Sequence, residues 1–174
     1  AGSRATIDRL LESPAHASTR ELEMAAQLLR GRRVMWFDPS PANNELGRRL
    51  LTEAVRDVEE KVPSPAHEML VEATTLADAV GRLDADPPLD LVISHWGHGQ
   101  APDGGANGAA LLRAAAVRRA EGKGTPPIVI FGGADFEAEN RRRALGLGAL
   151  GFTSEWPVLM SLIERTLGQS PEPR

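Results

Sequence analysis

Four side chains able to do acid–base or metal chemistry stand at or near places where the pattern ends a strand or opens a loop: Asp38, His95, His98 and Glu155. Asp38 follows the apolar run Val34-Met35-Trp36-Phe37, and Pro39 behind it cannot donate to a central ladder, so a strand stops there. His95 follows Leu91-Val92-Ile93-Ser94, whose short β-branched core marks a strand buried on both faces. The residue past such a strand lies at the carboxyl end of the sheet, where open α/β folds place their chemistry. An imidazole there can pair with Asp38 or Glu155 and titrate near neutrality. Alternatively, Asp38, His95 and His98 can ligate Zn²⁺, although their spacing is no strong zinc signature. Ser–His–Asp order, paired acid–base carboxylates and a complete metal set are all missing. The chain is therefore expected not to be an enzyme and to need no cofactor.

Bringing these residues together requires parallel strands. Apolar runs at 34–37, 69–71, 89–94, 128–131 and 149–153 alternate with helical patterns at 43–60, 74–83, 109–120, 136–145 and from Pro157 onward. Strand and helix alternating in this way demand a parallel sheet with helices on both faces and right-handed crossovers. Gly97 to Gly108 is glycine-rich and polar and lacks the spacing of a phosphate-binding loop, so it reads as a flexible cover over the strand ends. Residues 5–30 carry a further helical pattern, split near Pro14. Ser18 or Thr19 caps its second piece, Glu21 stands in the first turn and Gly31 is the stop.

With 174 residues, one domain is expected. Aromatic residues make up only 4% and tyrosine is absent, so Leu, Val, Ile and Ala must fill the interior. A net charge of -4 argues against a nucleic-acid or anionic-membrane surface. Without cysteine there is no disulfide framework or thiol nucleophile. No apolar stretch approaches the roughly 18–20 residues of a membrane span, and no signal-peptide core opens the chain. A cytoplasmic location is the expectation.

The motifs together resemble the receiver domain of bacterial response regulators, over residues 32–168. Val34-Met35-Trp36-Phe37-Asp38-Pro39-Ser40-Pro41-Ala42-Asn43-Asn44 resembles a receiver subgroup whose first strand ends in W-V-D-D-x-P-x-N-N. Asp90 to Ser94 is similar to the third strand, Pro127 to Gly133 to the fourth, and Gly148-Ala149-Leu150-Gly151-Phe152-Thr153 to the approach to the fifth. The resemblance implies an α/β, flavodoxin-like (βα)5 fold with five strands in the order 2-1-3-4-5. An N-terminal helical extension would occupy 1–31 and a frayed tail 169–174.

A working receiver gathers an acidic pair, a phosphoacceptor Asp, a hydroxyl and a Lys in one pocket. Here Asp38 keeps the first acid and Pro39 takes the second place. His95 stands at the phosphoacceptor position, Gly132 at the hydroxyl position, and Glu155 at or beside the lysine position. The resemblance therefore implies a pseudo-receiver of a signalling system, with a silent pocket and output through protein contact. A protein partner or homodimer is expected. Receivers use the fourth helix, fifth strand and fifth helix as a contact face. Arg141, Arg142 and Arg143 fall on that face, and Trp156, read as exposed beside Pro157, would anchor it. The rival reading is a small-molecule or metal-binding α/β domain, with or without enzymatic activity, using Asp38, His95, His98 and Glu155.

Overall fold

A computed structural model describes residues 19–40, 42, 45–61, 70–97, 107–132 and 137–168. The chain runs α1 (Thr19–Leu29), β1 (Val34–Phe37), α2 (Glu45–Lys61), β2 (Leu70–Ala73), α3 (Leu76–Arg82), β3 (Leu91–His95), α4 (Asn107–Ala120), β4 (Ile128–Phe131), α5 (Glu137–Gly146), β5 (Gly151–Thr153) and α6 (Trp156–Leu167). All strand pairings are parallel, in the order β2-β1-β3-β4-β5. This is the flavodoxin-like sheet expected from the sequence.

Alternation along each strand sends side chains to two cores. Val34, Trp36, Leu91, Ile93, Val129 and Phe131 pack under α1, α2 and α6. Met35, Phe37, Val92, Ile128 and Ile130 pack under α3, α4 and α5. Strands β1 and β4, apolar and buried at every position, fit a sheet covered on both sides. The register is pinned at the amino edge. Asp90 accepts from the Arg33 backbone N–H at 2.8 Å, and its own N–H donates to the Arg33 carbonyl at 2.8 Å.

Local signals explain the boundaries. The Thr75 hydroxyl accepts from the Asp78 N–H at 3.1 Å and starts α3, as its place before an apolar helix suggests. Gly31, at φ +71, ends the α1 turn as a left-handed stop. Helix α1 does not stand apart from the sheet. Leu22, Ala25, Ala26 and Leu29 are buried in the same cluster as α2 and α6. Each large apolar side chain buried this way stabilises by about 1.5–3 kcal/mol. Residues 1–18 and the tail 169–174 lie outside the described residues.

Candidate functional site

Phe37 of β1 pairs with Ser94 of β3, so the next residues, Asp38 and His95, meet at the carboxyl edge of the sheet. His95 was expected just past the strand. It is instead the last residue of β3, in register with Phe131 of β4. Both polar groups are buried, Asp38 to 1% and His95 to 5% exposure. Asp38 is fixed from two sides. Its backbone N–H donates to the Ala73 carbonyl at 3.0 Å, and its Oδ1 accepts from the Ser40 N–H at 2.9 Å. The last bond is an Asx turn, formed past Pro39.

His95 Nδ1 lies 4.0 Å from that same Oδ1, an ion-pair distance beyond direct hydrogen bonding. The other side of the imidazole lies against Gly132. A Cβ built on Gly132 would stand 2.6 Å from His95 Cδ2 and 2.8 Å from its Nε2, and the backbone there has φ +102. Any larger side chain meets both a ring and a strained backbone. The Gly132 N–H donates to the Thr153 carbonyl at 2.9 Å, which ties this turn to β5. Asp38, His95 and Gly132 thus form one packed unit spanning β1, β3 and β4.

The remaining sequence candidates fall elsewhere. Glu155 is exposed at the N-terminus of α6, makes no side-chain cap bond, and has its backbone N–H held by Thr153 Oγ1 at 3.0 Å. A buried carboxylate facing His95 is therefore supplied by Asp38. His98 lies outside the described residues, and among those described no three His, Asp or Glu side chains gather. Arg141, Arg142 and Arg143 are exposed on α5, on the α3–α4–α5 face of the sheet.

Trp156 corrects the expectation of an exposed anchor. It is half-buried against the opposite core and stacks on Trp36 at 5.9 Å and 13°. It also tilts onto Phe131 at 4.7 Å. This contact depends on Gly47 of α2, where a Cβ would stand 1.6 Å from the indole. The sequence reading missed the aromatic cluster. Its signal was there: three tryptophans in a chain poor in aromatics, one of them following a strand-five motif.

The architecture has counterparts among solved structures. The receiver domain of the histidine kinase CKI1 from Arabidopsis thaliana, complexed with Mg²⁺ and BeF₃⁻, matches with a TM-score of 0.56 and 18% identity, over 83% of this chain and 95% of that one. The fold is receiver-like. Two point variants of the same plant domain match with TM-scores of 0.56 and 0.55 at 16% identity, each over 84% of this chain and 95% of theirs. No family model matches the chain, and the comparison with curated proteins found no match. Placed on this receiver-like frame, the Asp38–His95–Gly132 unit occupies the carboxyl edge of the central strands. Among the described residues no helix is long and apolar enough to cross a membrane.

Proposed function

We propose that this chain is a phosphorylation-independent receiver-like module of bacterial signalling, a pseudo-receiver that works in the cytoplasm through protein–protein contact and catalyses no reaction. One observation carries the reading. The imidazole of His95 fills the space over Gly132 where a receiver would need an open pocket between a carboxylate and a hydroxyl. The bacterial setting comes from the strand-one motif, Trp36 to Asn44.

Chemistry supports it. Mg²⁺ takes hard oxygen ligands in near-octahedral order, and imidazole is a poor substitute. Of Asp38, Pro39, His95 and Gly132, only Asp38 offers a carboxylate, and its Oδ1 already accepts from the Ser40 N–H. These residues do not fit a magnesium site. An acyl phosphate needs a carboxylate nucleophile, which position 95 lacks. Glu155 adds little, because exposed charge is screened by solvent. The metal- or small-molecule-binding alternative would draw on Glu155 and His98, of which the first is exposed and the second lies outside the described residues.

The test is incubation with acetyl phosphate and Mg²⁺, read by intact mass, together with a melting scan in Mg²⁺ and beryllofluoride. The plant receiver domain, solved with Mg²⁺ and BeF₃⁻, serves as the positive control. This chain is expected to show neither a mass gain nor a melting shift. A phosphoryl group on Asp38 or His95 would overturn the proposal.

A further inference from the structure

We infer that the chain self-associates head to tail, the groove between α1 and α6 of one copy receiving the arginine–leucine ridge of α5 from the next. The groove is lined by Met24, Leu28, Pro157 and Met160 together with Glu21 and Glu164, and holds about 80 Å³. Its two helices run in the same direction, since Leu28 Cδ2 stands 4.0 Å from the Cβ position of Gly168, just past the end of α6. Glu21 therefore lies toward one end of the groove and Glu164 toward the other. Met24 is 37% exposed at its mouth. Methionine adapts to an incoming apolar side chain.

The complementary surface lies on the opposite side of the sheet. Arg141, Arg142 and Leu145 share one face of α5 by their helical spacing, and all are exposed. Leu145 is 44% exposed, and Leu150 in the following turn is 47% exposed. Arg119 of α4 adds a guanidinium beside this turn, 2.8 Å from the Cβ position of Gly148. The ridge offers an apolar knob beside cations, and the groove an apolar lining that carries carboxylates. Opposite charge favours this pairing over like-to-like contact. Groove and ridge face away from each other, so one molecule cannot satisfy both. The contact is heterologous, so it builds a ring where the rotation closes and an open chain where it does not.

This inference rests on the reading that the domain works by protein contact, and not on a silent phosphorylation pocket. Sedimentation of the wild-type chain over about 10–500 µM is expected to show growth beyond a dimer, in the range of a small interface. High salt is expected to weaken it. Glu164→Arg and Arg142→Glu, both at exposed positions, should each weaken association about tenfold or more. Placing both changes in one chain reverses both charges and should restore association. Melting curves show whether each variant is folded, and the salt series on unchanged protein stands if one is not. A monomer at every concentration, an assembly indifferent to salt, single variants without effect, or no recovery in the double variant would each overturn the inference. Phosphorylation by acetyl phosphate would overturn the functional proposal and leave this one untouched.

Discussion

At position 132 a methyl group has nowhere to go. The backbone has φ +102, and the His95 ring stands 2.6 Å from where a Cβ would lie. Gly132→Ala is expected to cost about 2–4 kcal/mol, combining left-handed strain with overpacking. Made on a His95→Ala background, the same change should cost only about 1–2 kcal/mol, because the steric part is gone and the backbone part remains. Urea denaturation of the four chains of this cycle checks it. Equal costs in the two backgrounds would mean the imidazole does not hold that space. Single-step routes toward a carboxylate and a hydroxyl here are poor. His95→Asp alone leaves a void, and Gly132→Ser alone meets the ring. Asp38, His95 and Gly132 were legible as a group because each follows an apolar run at a strand end. The tryptophan count hinted at an aromatic cluster, but the partners of Trp156 were not legible, because nothing beside it in sequence shows that Gly47 of another helix leaves room for an indole.

The elements were legible to the extent that their residues obey one period. Strands 34–37 and 128–131 match their apolar runs to the residue. Strand β2 continues to Ala73, past the apolar run at 69–71, because exposed Glu72 on this edge strand interrupts the apolar pattern; Met69 lies outside the described residues. Strand β3 ends one residue later than its apolar run, because His95 is buried despite its polarity. Helix α1 is where pattern alone stopped short: amphipathicity shows that a face must be covered, but not by what. Its burial gives a prediction. Leu22, fully buried among α2 and α6, should cost about 2–5 kcal/mol when changed to Ala, as a core residue does. A loss below about 0.5 kcal/mol in denaturant titration would make α1 an appendage. The α3–α4 contact gives another. Arg118 pairs with Asp84 and donates to the Leu83 carbonyl at 3.0 Å. The Arg118 hydrogen bond, opposed by desolvation and aided by its charge, holds the Asp84 carboxyl below the usual carboxylate range. A depressed carboxylate pKa stabilises the fold above the unfolded value and loses that contribution as pH falls through the folded one. Asp84→Asn should therefore flatten the acid limb of the stability profile slightly and leave the slope near neutrality unchanged, as denaturation between pH 7 and pH 3 would show. A steeper acid limb in the variant would contradict the pairing.

At the scale of the whole molecule, the five-stranded sheet separates two cores that share no side chain. Trp36 and Trp156 belong with one, whereas Trp96 lies in the other, edge-on to Phe152 at 5.9 Å. The chain holds three tryptophans and no tyrosine. Each layer thus contains its own light-emitting probe with no competing phenol. Replacing Trp96 with Phe leaves emission from the α1–α2–α6 side alone, and replacing Trp36 and Trp156 leaves the α3–α4–α5 side alone. Heating these two forms side by side would reveal whether the layers lose their packing in one step or in succession.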